Sequence, residues 1–156
     1  MADVQVKEIE AMRAMALPFT GDYADSMDHL DRIMGWLLRT GHPYSQRPMM
    51  LCHDDPAKVP AGEQRGEICM PIEEVCEGTG DFVNRDIPAA TVACMTYEGD
   101  YSQSAEIYPQ IFDWIRENGY TYVEDEPTRE IFVRLEEEDS GAPLALTEVQ
   151  VPIEGA

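Results

Sequence analysis

An acid and an aromatic stand two positions apart in Arg129-Glu130-Ile131-Phe132-Val133-Arg134-Leu135. The segment alternates with a period of two. As a strand it puts Ile131, Val133 and Leu135 on one face and Glu130, Phe132 and Arg134 on the other. If the aliphatic set packs beneath helices, Glu130 and Phe132 point together to the opposite side. Such a pair suits a lipophilic cation. The ring supplies apolar area and about 0.5–2 kcal/mol of cation–π attraction. The carboxylate supplies an attraction on the order of 4 kcal/mol at ~4 Å and an effective dielectric of about 20, before desolvation is subtracted. The competing reading is a solvent-facing strand carboxylate paired with Arg129 or Arg134.

The aromatic residues that could wall such a site are spread along the chain. At 100° per residue, Trp36 lies about opposite the Met27/Leu30/Met34/Leu38 stripe of its helix, so it packs against a second surface, lines a pocket or is exposed. Trp114 sits at the margin of the stripe formed by Ile107, Tyr108, Ile111, Phe112 and Ile115, where core packing is the simpler role. Tyr97, Tyr101 and Tyr108, with Met50 and Met95, add soft, amphipathic surface of the kind that adapts to varied ligands and also fills ordinary cores. The candidate ligand contacts are therefore Glu130, Phe132, Trp36, Trp114, Tyr108 and Met50. No metal site is expected: His53-Asp54-Asp55 reads as a polar hairpin, and His29 and His42 have no obvious route to it. Neither a Gly-rich phosphate loop nor a Gly-x-Ser-x-Gly elbow is present, and no cofactor is expected. Glu136-Glu137-Glu138-Asp139 reads as a solvated turn.

The elements that must position these residues come in two similar sets. Gly21-Asp22-Tyr23 returns as Gly99-Asp100-Tyr101, Trp36 as Trp114 and Gly41 as Gly119, each shifted by 78 positions (99 − 21, 114 − 36, 119 − 41). Ile9/Ile87, Ala11/Ala89, Ser26/Ser104 and Ile33/Ile111 keep that shift, and Glu67 with Met70-Pro71-Ile72-Glu73 matches Glu148 with Val151-Pro152-Ile153-Glu154 at 81 (148 − 67). Two copies are too few for a solenoid, so each reads as half of one pseudo-twofold domain, 4–76 and 82–154. In the first copy, Val4 to Phe19 reads as a strand with a bend. A helix from an N-cap at Ser26 to a stop at Gly41 follows, then strands at Pro48 to His53 and Gly66 to Ile72. The second repeats the order, with a strand near Ile87 to Tyr97, a helix from about Ser104 to Asn118, and strands at Arg129 to Leu135 and Leu146 to Pro152. Pro109 predicts a regular part starting near Tyr108, or an irregular first turn. The fold class is α+β: a duplicated β-α-β-β module, an antiparallel sheet backed by two helices.

Composition bounds the partners. The 156 residues suit one domain with a real core. With 31 acidic against 11 basic side chains the formal net charge is −20, which repels nucleic-acid backbones and anionic lipids and would steer cationic ligands inward. Cys52, Cys69, Cys76 and Cys94 have no metal-ligand spacing and read as small buried hydrophobes. There is no signal-peptide pattern and no run long enough for a membrane span, so a cytoplasmic protein is expected.

The sequence resembles the GyrI-like small-molecule-binding domain, the BmrR-type effector module of multidrug-sensing and some AraC-type regulators, from about Val4 to Glu154. The carriers are Tyr97-Glu98-Gly99-Asp100-Tyr101, Phe112-Asp113-Trp114-Ile115 with Asn118-Gly119, Arg129-Glu130-Ile131-Phe132, and Leu146-Thr147-Glu148-Val149-Gln150-Val151-Pro152-Ile153. The resemblance implies duplicated SHS2-type units and a hydrophobic, often cationic compound held in a cleft between them. It also implies an acidic residue late in the second copy, which falls on Glu130. Regulators place a DNA-binding region ahead of this domain. Here the first strand begins within a few residues of Met1, so no direct nucleic-acid contact is expected. Glu126-Pro127 stands where the family often has Gly-Pro. Two other functions are implied: hydrolysis of reactive cyclopropane-containing compounds with Glu130 as general base, and an acidic protein-interaction module of the gyrase-inhibitor kind.

Overall fold

The structure is a computed structural model that describes residues 3–41, 47–55, 58–72, 80–99, 103–134 and 146–155. Two compact units emerge, one formed by Glu10–Ala89 and the other by Met1–Ile9 with Ala90–Ala156. The first contains β2 (Met12–Thr20), α1 (Ser26–Thr40), β3 (Met49–Cys52), β4 (Arg65–Pro71) and β5 (Val83–Ile87). Its strands lie in the order β3-β4-β2-β5, all antiparallel. The other contains β1 (Gln5–Ile9), β6 (Ala90–Glu98), α2 (Ser104–Glu117), β7 (Thr121–Tyr122), β8 (Thr128–Arg134) and β9 (Leu146–Glu154). Its order is β1-β6-β9-β8, again antiparallel, with the two-residue β7 pairing to the far end of β9. Each unit is thus a four-stranded sheet with one helix, consistent with the α+β class. The bend expected before Phe19 is the break between β1 and β2 at Glu10–Ala11, and β7 was not anticipated.

Both helices are amphipathic, and their ends differ from expectation in detail. Ser26 is the buried first residue of α1 rather than its cap; the N-cap is Asp25, closing a short 3-10 turn over Tyr23–Asp25, without a side-chain cap bond. Gly41 ends the helix as expected, in the left-handed conformation at φ 71°, where its N–H reaches the Leu37 and Leu38 carbonyls. The buried stripe is Leu30, Ile33, Trp36 and Leu37, whereas Leu38 is 72 % exposed. Trp36 therefore does not lie opposite the core. The inward face is centred near Ile33, and Phe82, stacked on the indole at 4.9 Å between centroids, supplies apolar surface that helix geometry alone does not reveal. Pro109 lies well inside α2, which is helical from Ser104 onward. Its missing N–H removes one bond, to the carbonyl of the residue four before, without ending the helix.

In the Glu10–Ala89 unit, Met15 pairs with Met70 and Leu17 with Ile68, all fully buried. Phe19, next on the same face of β2, stacks on His29 of α1 at 4.2 Å. Opposite Phe19 is Gly66, where an added Cβ would fall 2.8 Å from the Phe19 ring. In the other unit, α2 sets Ile107, Ile111 and Ile115 against Ala93 and Tyr97 of β6 and Val149, Val151 and Ile153 of β9. Cys52, Cys69 and Cys94 are buried, as expected. Burial pushes the Cys94 thiol up from its ordinary value, and its Sγ donates to the Gln5 carbonyl at 3.4 Å. Cys76, Tyr101, Leu135 and Glu136 to Asp139 lie outside the described residues.

Candidate functional site

Glu130 sits mid-strand on β8 and is only 5 % exposed. Its cross-strand partner on β9 is Val149, and Phe132 pairs with Thr147. Paired residues of an antiparallel ladder project to the same face. Val149 belongs to the α2 core, so Glu130 and Phe132 point toward α2 rather than away from the helices. The alternation holds; its sense is reversed. Ile131 and Val133, expected beneath the helix, are half-buried on the other face. Glu130 is not the solvent-facing carboxylate of the competing reading, because it is buried, and Arg129 projects to the opposite face across from Gln150. A period of two separates two faces but does not say which one the helix covers.

The carboxylate is held by a helix residue. The Tyr108 hydroxyl of α2 donates to Glu130 Oε2 at 2.9 Å and lies 3.3 Å from Thr128 Oγ1, two residues before Glu130 on the same face of β8. This bond is charge-assisted when Glu130 is ionised, a class worth about 1.5–3 kcal/mol against 0.5–1.5 for neutral pairs. Tyr108 also stacks on Phe112 at 6.4 Å between centroids, and the Phe112 ring meets Tyr122 edge-on at 5.1 Å. An acid, two hydroxyls and an aromatic wall thus share the α2 side of one sheet. Such a group can hold a positive charge in apolar surroundings, or hold a proton at Glu130.

The other expected contacts separate. Trp114 packs on the α2 core and stacks on Tyr120, a structural role within the same unit. Trp36 and Met50 belong to the Glu10–Ala89 unit, where Trp36 stacks on Phe82 and Met50 is buried on β3. Thr128 and Thr147 were not singled out from the sequence. Both could have been: Thr128 keeps the parity of Glu130, and Thr147 is the polar member of the Thr147, Val149, Val151, Ile153 series.

A second polar cluster occupies the Glu10–Ala89 unit. His53 Nε2 approaches Glu67 Oε2 at 2.6 Å, and Arg85 lies 3.3 Å from the same oxygen. Burial pushes the Glu67 carboxyl up, but the His53 hydrogen bond and the Arg85 charge together outweigh it and hold the group below its ordinary value of 4.5. In the other unit Lys7 bonds Glu148 at 2.6 Å, and Gln150 donates to the second Glu148 oxygen. No group of three or more metal-ligating side chains occurs among the described residues. None of the described helices is long and apolar enough to cross a membrane.

An antiparallel sheet with one helix in each of the two units defines an α+β protein. Residues 2–154 match the GyrI-like small molecule binding domain, and the chain belongs to that family. The crystal structure of the EcmrR C-terminal domain superposes with a TM-score of 0.84 at 20 % identity, over 100 % of this chain and 99 % of that one. In the EcmrR–DNA complex the TM-score is 0.85 at 20 % identity, and 99 % of this chain spans 58 % of that chain. A hydrolase from Listeria innocua gives 0.69 at 10 % identity, covering 97 % of this chain and 91 % of its own. SAV2435 bound to tetraphenylphosphonium gives 0.57 at 11 %, covering 98 % and 94 %. No curated protein matches the chain.

Proposed function

We propose that the chain binds a lipophilic, cationic small molecule whose charge is met by Glu130, and that it acts in the cytoplasm in sensing or sequestering such compounds. The observation that carries this reading is a carboxylate 5 % exposed on the helix-facing side of β8, beside Phe132 and held by Tyr108. A buried acid is costly unless a partner compensates it. A bound cation is such a partner, and SAV2435, of similar fold, was solved with a lipophilic cation. Glu130→Gln keeps the shape and removes the charge. Fluorescence titration with tetraphenylphosphonium as competitor should show affinity falling about 10- to 100-fold, or roughly 1.4–2.8 kcal/mol. Unchanged affinity would remove the charge from the mechanism.

The same reading takes the two units as copies of one module. It is supported by element starts 78 residues apart (83 − 5 for β5 and β1, 90 − 12 for β6 and β2, 104 − 26 for the helices). It is also supported by a shared strand order in which each sheet takes its outer strand, β1 or β5, from the other copy. The fold similarity to a Listeria hydrolase favours a second reading, in which Glu130 acts as general base toward a water. Product formation lost in Glu130→Gln while binding persists would select it. The surface acidity keeps a basic protein partner as a third.

A further inference from the structure

Thr147 is fully buried on β9, and its Oγ1 has no hydrogen-bond partner among the described residues. It is the central member of a cross-strand row, Tyr97–Thr147–Phe132, on the face that carries Glu130. Its neighbours on β9 along that face are aliphatic, and a valine there would fit the pattern without leaving a hydroxyl unsatisfied. A threonine hydroxyl offers one donor and two acceptor sites, and burying it unmatched costs free energy.

We infer that Thr147 is a second polar contact for the ligand, and that the ligand is an organic ammonium bearing N–H groups rather than a fully substituted onium ion. This rests on the reading of Glu130 as the charge-bearing contact. Glu130 pairs with Val149, so Thr147 is its diagonal neighbour on the next strand, roughly 7–8 Å away between backbones and less between side chains. An ammonium nitrogen with one N–H on the carboxylate and one on Oγ1, each at about 2.8 Å, spans that gap. A carboxylate has about four acceptor positions, so Glu130 can receive the ammonium while keeping the Tyr108 bond. Chemistry sharpens the distinction. An ammonium is more strongly hydrated than a quaternary centre, so a greasy site with charge alone favours the quaternary ion; only pre-placed acceptors reverse the order.

The test uses a matched pair, 3,3-diphenylpropylammonium and its N,N,N-trimethyl counterpart, titrated calorimetrically near pH 7 into the full chain. The wild-type protein should prefer the primary ammonium by about tenfold, the gain of one hydrogen bond at 1.4 kcal/mol per tenfold. Thr147→Val should reduce that preference below about twofold by weakening the primary ammonium more than the quaternary ion, and Thr147→Ser should retain it. Glu130→Gln should weaken both ligands. A wild-type preference absent or inverted, with Glu130→Gln still weakening both, overturns the role of Thr147 and leaves the cation reading standing. So does a preference that survives in Thr147→Val, or Val and Ser variants that weaken both ligands alike. If neither compound binds the wild-type chain, both readings fall together. The wild-type comparison requires no variant to fold.

Discussion

Replacing Tyr108 with Phe deletes one oxygen, and that oxygen stands 2.9 Å from a buried carboxylate. If Glu130 is ionised, the lost bond is charge-assisted and its removal should cost about 1.5–3 kcal/mol. In a Glu130→Gln background the hydroxyl still meets an amide carbonyl of similar shape, and the cost should fall to about 1 kcal/mol. The double-mutant cycle therefore predicts a coupling of about 1 kcal/mol between these two side chains. Urea denaturation reads it directly: with a slope of about 2 kcal/mol/M, Tyr108→Phe should move the wild-type midpoint by about 1 M and the Glu130→Gln midpoint by about half as much. Equal shifts in the two backgrounds would refute the argument, because the Tyr108 hydroxyl would then be indifferent to the carboxylate's charge.

Two further expectations concern the Glu10–Ala89 unit. Gly66→Ala drives a methyl to 2.8 Å from the Phe19 ring, which is itself confined by His29, and overpacking of this kind costs about 1–3 kcal/mol. The melting temperature should drop by about 5 °C, with recovery in Gly66→Ala/Phe19→Leu; an unchanged melt means the ring moves freely. Glu67 is held below 4.5, so the folded state binds its proton more weakly than the unfolded chain does. Its contribution to stability is complete above that value and disappears as pH falls through the lower, folded-state value. In His53→Ala, burial opposes ionisation with only Arg85 against it, so the folded-state value rises toward or past that of the unfolded chain and the acid-side loss of stability should shrink or vanish in urea melts taken from pH 7 to 3. Parallel curves would show that His53 does not hold the carboxylate down.

Much of the fold is legible in spacing. The alternation of Met12 to Phe19, the helical spacing of Met27, Leu30, Met34 and Leu38, and the glycine stop at Gly41 all name their elements because local sterics and burial act over a few residues. What failed are statements that need a partner from elsewhere in the chain. Helical spacing puts Trp36 opposite its core because Phe82 lies 46 residues away (82 − 36) and no helical wheel contains it. The helix tolerates Pro109 because its Ile107, Ile111 and Ile115 face is anchored to β6 and β9, and packing outweighs one missing bond. The pairing of β1 with β6 and of β5 with β2 is likewise a matter of register, which local pattern does not encode.

By itself, the sequence determined that Glu130 and Phe132 share one side of a strand, that a helix stripe carrying Tyr108 precedes them, and that the chain as a whole is strongly acidic. Only the tertiary structure decided which side that is. The ladder partner Val149 belongs to the α2 core, and this one pairing turns the acid inward, brings the Tyr108 hydroxyl to it and places Thr147 beside it, its Oγ1 without a hydrogen-bond partner among the described residues. The physical reason is that alternation fixes relative orientation along one backbone, whereas burial depends on what another segment lays across it.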